Sequence, residues 1–218
     1  MAATSKLVVL AAGVAVFLTS CAVKGTPTWP GARLNAAALS AEDFPPGVEF
    51  DRIAEQPGQP DGTNRPPPMA SEPAGCTDGL TRDIAASVDR GPGSSVKYAV
   101  TYDGARVVMT VLADTLDLNR LDATATRCEA YTTFFDAESQ PIQMTTTKMS
   151  SQRPQALTYR QTMQLRGTES SVYFTFENVG DSGMFGIAFP TPNPAIAVKA
   201  SLPQTFLEIT ARQAQRLG

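Results

Sequence analysis

The chain has 218 residues, is 42% hydrophobic, and carries 18 basic and 21 acidic side chains for a formal net charge of −3. That length suffices for one ordinary domain with its own core, and a near-neutral chain without a basic stripe is a poor match for nucleic acid. Histidine is absent, which removes the commonest general base and the commonest zinc ligand together. Ser-His-Asp and Cys-His catalysis are therefore excluded, and no cofactor or metal is expected.

The N-terminus reads as an export signal over residues 1–20. Lys6 stands beside the amino terminus, and Leu7 to Phe17 is unbroken apolar sequence. A run of about 10 to 15 such residues suits a signal-peptide core, whereas a spanning helix needs about 20. Leu18-Thr19-Ser20-Cys21 follows and resembles the bacterial lipobox, in which the cysteine is acylated and becomes the first residue after cleavage. The alternative is an uncleaved anchor or an ordinary signal with a chance cysteine. On the lipoprotein reading the protein is held on the extracytoplasmic face of the cell membrane by acyl chains on Cys21.

Three cysteines are present. Acylation of Cys21 leaves Cys76 and Cys128, an even pair that reads as a disulfide in an oxidising compartment. Two separate buried thiols are the other reading.

Residues 21–33 form an expected tether, broken by Gly25, Pro27, Pro30 and Gly31, with a single domain over 34–218. Trp29 in the tether suits either the lipid interface or a place on the domain. Leu34 to Phe44 suggests a short helix ended by Pro45-Pro46-Gly47, and Val48 to Ile53 a strand. Pro57 to Pro73, with six prolines, reads as a long exposed loop, either a connector or a flap. Cys76, Leu80, Ile84 and Val88 recur on one helical face. Val96, Tyr98, Val100 and Tyr102 alternate toward an Asp103-Gly104 hairpin turn, and Val107, Met109 and Val111 continue the return strand. Asp117 is placed to cap a helix with Leu118, Leu121, Ala125 and Cys128 on one side. Strands then succeed one another: Ile142 to Met149, Leu157 to Arg166, Val172 to Phe176, and Phe185 to Phe189. Leu202 to Leu217 closes the chain as a helix.

The expected fold is α+β: an antiparallel twisted sheet of about five to seven strands, with two to four helices packed on one face and one disulfide. Alternation leaves the other sheet face polar. Arg160, Gln164 and Arg166 line up on that face as candidate ligand-binding residues; a merely solvated sheet face is the other reading of them. Carboxylates such as Asp117, Asp122 and Glu129 fall where a helix needs solvated positions.

From the lipobox onward the chain resembles the small lipoproteins of mycobacteria and related actinobacteria. The residues carrying the likeness are Leu18-Thr19-Ser20-Cys21, Phe44-Pro45-Pro46-Gly47, the Cys76 helix, the Tyr98 hairpin, Cys128 on the next helix, and the closing strand-proline-helix. The layout over residues 34–217 is similar to the extracellular sensor domain of the PknH-type receptor kinase. That domain has two disulfides, where this chain offers one pair. The resemblance implies a ligand-binding or sensing module with a cleft, taking an unknown envelope ligand or protein partner, and no catalytic residue. A lipid or glycolipid carrier with an apolar cavity is a second reading, and a histidine-free hydrolase a minor third.

Overall fold

The computed structural model describes residues 30–53, 69–87, 93–136 and 140–218. The predicted signal segment, Cys21 and Trp29 lie outside these residues, as does most of the proline-rich stretch. Helix α1 spans Pro30–Ala37, followed by strand β1 (Glu49–Ile53), strand β2 (Ala70–Glu72) and helix α2 (Gly79–Ser87). Strands β3 (Ser95–Tyr102) and β4 (Gly104–Leu112), helix α3 (Leu118–Arg127) and strand β5 (Ala130–Phe134) come next. Strands β6 (Ile142–Lys148), β7 (Leu157–Leu165), β8 (Thr168–Val179) and β9 (Ser182–Thr191) precede the closing helix α4 (Gln204–Leu217).

All nine strands join one sheet in the order β1-β3-β4-β9-β8-β7-β6-β5-β2, every neighbouring pair antiparallel. The α+β class and the antiparallel sheet agree with expectation, but the sheet is larger than five to seven strands. The two additional strands are β2 and β5. Strand β2 arises inside the stretch expected to be loop, where Ala70–Glu72 pairs with Thr132–Phe134. Strand β5 starts two residues after the Cys128 cap of α3. No glycine or proline separates the two elements, so the sequence carries no local punctuation there.

Helix α1 takes in Pro30 to Arg33, which the sequence reading assigns to the tether, with Pro30 in the first helical position where its missing N–H costs nothing. The helix stops at Ala37, and Ala41–Asp43 forms a separate single turn. The Asp103-Gly104 hairpin is present as expected, with Tyr102 opposite Ala105 and Gly104 at φ +101°. That positive φ is inexpensive only for glycine.

The helices do not share one face. On β4, Val107, Met109 and Val111 face the same side as Ala188, Gly186 and Met184 of β9. Helices α1 and α4 cover that side through Leu34, Phe206, Ile209 and Ala214, with Ala38 joining them just past the end of α1. Phe174 of β8 lies opposite Ile187 and Tyr159, on the other side of the sheet. There Phe174, Phe176 and Tyr159 pack with Leu121 and Ala125 of α3 and with Leu80 and Ile84 of α2. The expectation of helices on a single face is thus overturned. Nine strands at about 4.8 Å spacing make a sheet roughly 38 Å wide, while a helix covers about 10 Å. Two helices therefore cover only half a face. A twist of roughly −20 to −25° per strand turns the two halves away from each other, so each half buries its own side.

Cys76 and Cys128 are disulfide-bonded across 52 sequence positions, with Cα atoms 5.5 Å apart. Cys76 precedes α2 and Cys128 caps α3, so both lie just outside the helices they were expected to occupy. The bond ties the entry of α2 to the exit of α3, and both cysteines are buried beside Tyr131. Asp83 adds a second tie between these helices. Its Oδ1 accepts from Arg120 Nε at 2.9 Å, and its Oδ2 accepts from the Thr124 hydroxyl.

Candidate binding cleft beside helix α3

Asp117 caps α3 by accepting a hydrogen bond from Arg120 N at 3.0 Å. The cap, the Asp83 contacts and the disulfide hold the helix at both ends and along its length. Leu121, Ala125 and Cys128 turn into the sheet. Asp122, Thr126 and Glu129 occupy the adjoining flank at i, i+4 and i+7, a spacing that keeps three side chains on one helical stripe. This flank overhangs the end of β6 and the start of β7.

Between them lies a half-open cleft of about 200 Å³, lined by Asp122, Ala125, Thr126, Glu129, Thr146, Thr147, Lys148 and Tyr159. Thr146 and Lys148 share a strand face with Tyr159, because Lys148 pairs directly with Tyr159. Thr147, paired with Arg160 on the opposite strand face, also borders the cleft.

The charged groups are arranged around one oxygen. Asp122 Oδ1 accepts from the Tyr159 hydroxyl at 2.5 Å and from Lys148 Nζ at 2.7 Å. Those two donors hold the Asp122 carboxyl below the usual aspartate range, Lys148 first and Tyr159 second. Burial, and then the neighbouring Asp122, push the Tyr159 phenol up. Asp122 Oδ2 has no hydrogen-bond donor among the described residues, and the exposed Glu129 carboxylate makes no ion pair among them.

Among the lining residues Thr146 is only 4% exposed, and its Oγ1 is closed off from the cleft and has no hydrogen-bond partner. Its backbone N–H is satisfied by Glu129 O at 2.8 Å, so the deficit belongs to the hydroxyl alone. A buried hydroxyl left in this state costs about 1–3 kcal/mol, and such groups call for an explanation where they occur.

The residues singled out from sequence lie elsewhere. Arg160 and Gln164 are both exposed on the polar face of β7, opposite the cleft. Arg160 lies between Thr147 and Tyr173, and Gln164 between Gln143 and Glu169. Four strand positions separate them, about 13 Å, with Thr162 between them bonded to Ser171 at 2.9 Å. Arg166 is not on this face as a strand residue. It sits in the β7–β8 turn at φ +52°, followed by Gly167 at +78°. Two consecutive positive φ values are the geometry a tight antiparallel hairpin requires. The polar face is thus real, but it does not gather the three residues into a pocket. The cleft residues Asp122 and Glu129 read from sequence as ordinary solvated helix positions; the only local hint was their i, i+7 alignment with Thr126.

Among the described residues no cluster of acidic or cysteine side chains could hold a metal ion, and no helix is long and apolar enough to cross a membrane. No protein-family model matches the chain. No curated protein matches it in sequence. A solved structure of an uncharacterised protein from Mycobacterium smegmatis, the Rv0999 ortholog, is distantly similar, at 14% identity and a TM-score of 0.45. The similarity covers 87% of this chain and 95% of that one.

Proposed function

We propose that the protein is an extracytoplasmic lipoprotein, anchored to the cell membrane through Cys21, whose domain binds or senses a small envelope ligand in the α3 cleft. The observation that carries the binding half is the Asp122 carboxylate in a polar cleft, fastened through Oδ1 by Lys148 and Tyr159. The anchor half rests on the apolar run ending in Leu18-Thr19-Ser20-Cys21. The Cys76–Cys128 disulfide supports export, since such bonds persist in oxidising compartments.

Binding is favoured over catalysis by the proton affinities in the cleft. A general acid or base works best with a pKa near the operating pH. Asp122 is shifted below its usual range and Tyr159 above its own. Neither group exchanges protons readily near neutrality, so the pair is suited to holding a fixed pattern of charge. At about 200 Å³ the cleft is also far smaller than an acyl chain needs, which favours a small ligand over the lipid-carrier reading for this site.

The anchor is tested by detergent-phase partitioning and intact mass of the exported protein. The expected product begins at Cys21, carries acyl mass and enters the detergent phase, while Cys21→Ala stays in the aqueous phase. A Cys21→Ala protein that partitions and is processed like the parent would overturn the anchor.

A further inference from the structure

We infer that an apolar row on the α2 and α3 side of the sheet is the docking track for residues 54–68, which cross from one sheet edge to the other in extended form.

Strands β1 and β2 form the two edges of the sheet. Ile53 ends β1 and Ala70 begins β2, so seventeen peptide steps join the edges. At about 4.8 Å per strand the edges stand roughly 38 Å apart. Register adds a displacement along the strands. Ile53 pairs through Lys97, Thr110, Phe185 and Phe176 to Leu157 of β7. Glu72 pairs through Thr132 and Gln143 to Gln164, well down the same strand. Ala70 lies two residues further, which puts the two ends about 30 Å apart along the strands. The diagonal is about 48 Å on a flat sheet, and about 38 Å where twist draws the corners together. Seventeen helical residues reach only about 26 Å, whereas an extended proline-type chain reaches about 53 Å. The composition suits the extended form, because five of residues 54–68 are proline.

The hand of the crossing selects the face. As outer members of nine alternating strands, β1 and β2 are parallel, and a connection between parallel strands of one sheet is right-handed in about 98% of cases. Thr146 faces the α3 side with Tyr159, and its N–H bonds Glu129 O, just ahead of β5. In an upward strand of L-residues, a side chain toward the viewer puts its own N–H to the right. Seen from the α3 side with β1 running upward, β2 therefore lies to the right. A connection passing in front on that side is right-handed. Twist agrees, since a rotation of roughly −20 to −25° per strand bends the Ile53 and Ala70 corners toward this same side.

On this face the diagonal passes over Val108, Ile187, Phe189, Val172 and Met163 in turn. Phe189 is 37% exposed and the other four are half-buried. Helices α2 and α3 cover this row only in part. On the opposite face α1 and α4 occupy the β3, β4 and β9 part of the path. Prolines bring apolar rings and no N–H to satisfy, which fits a track of side chains.

The test uses the exported mature chain in detergent. A benzophenone amino acid replaces either Phe189 or Gln143, the latter exposed on the opposite face, and crosslinks are mapped by mass spectrometry. The Phe189 position is expected to link within one chain to residues 54–68, and the Gln143 position is not. Linkage from Gln143 instead, linkage from Phe189 to a second copy, or no linkage to 54–68 would overturn the inference. Length gives a second measurement. Deleting residues 57–61 leaves a reach of about 37 Å and should lower the urea midpoint by about 1 M or more. Inserting five Gly and Ser residues at the same place should leave the midpoint nearly unchanged, because added loop length costs little. An unchanged midpoint after deletion, or an equal loss after insertion, would overturn the taut crossing.

Discussion

Arg153 grips Glu177 from the side of the sheet opposite the α3 cleft. Its Nε lies 2.7 and 2.9 Å from the two carboxylate oxygens, and its terminal nitrogen lies 2.6 Å from Oε1. Glu177 is 2% exposed, while Arg153 arrives from the β6–β7 connection and remains partly in water. The loop residue thus neutralises a charge that β8 carries into the interior. Nothing in the alternation of β8 foretells this, because Glu177 falls outside its apolar set.

Removing the cation should therefore cost more than removing both partners. Arg153→Ala leaves a buried carboxylate uncompensated and is expected to destabilise the protein by about 3–5 kcal/mol. Arg153→Met with Glu177→Leu replaces the pair by apolar groups and should recover most of that loss. Urea unfolding at neutral pH measures both. A loss under about 1 kcal/mol for Arg153→Ala would show that the pair behaves as an exposed one.

Gln213 of α4 joins three elements through one side chain with 0% exposure. Its Oε1 accepts from Leu39 N and from the Tyr98 hydroxyl, each at 3.0 Å, and its Nε2 donates to Ala37 O at 2.9 Å. Gln213→Leu orphans all three, and at about 1–3 kcal/mol per unsatisfied group the expected loss is at least about 3 kcal/mol. Tyr98→Phe in the same chain removes one of the orphans, so the double variant should be less destabilised than the sum of the singles. Strict additivity in thermal or urea unfolding would mean that the Tyr98 contact contributes nothing.

Several phenols are held in the neutral form by the fold. Burial pushes Tyr131 up to about 12, and it raises Tyr98, Tyr102 and Tyr159 as well. In the unfolded chain these groups ionise near pH 10. Their contribution is thus fully present below about pH 10 and is lost as pH rises toward the folded values. Each buried phenol adds up to about 1.4 kcal/mol per pH unit to that decline. Unfolding free energy should fall steeply between about pH 10 and 11.5, with most tyrosine absorbance change coinciding with unfolding. A flat stability profile across that range, or phenol titration ahead of unfolding, would contradict the assignment.

The strands that alternate cleanly were legible at once. Val96 to Tyr102 and Val107 to Val111 place a large apolar side chain at every second residue, and Leu157 to Leu165 does so except at Gln161, a period that neighbouring residues alone establish. The Asp103-Gly104 turn and the Asp117 cap were legible for the same reason, since each acts within a few residues of itself. Strand β2 was not, because three residues without an apolar pattern gain their strand character only from pairing with β5. Arg166 was misplaced by one position: the alternation of β7 continues through it in sequence, and the hairpin turn claims it in space.

The sequence by itself determined the chemistry open to this protein and the local form of most elements. Without histidine no imidazole can act, whatever the fold, and the spare pair Cys76 and Cys128 was available for one bond. Only the tertiary structure decided which sheet face each helix covers and where a ligand could sit. Asp122 meets Lys148 across 26 positions and Tyr159 across 37. Those contacts depend on strand order, register and twist accumulated over the sheet, quantities that no short window of residues contains.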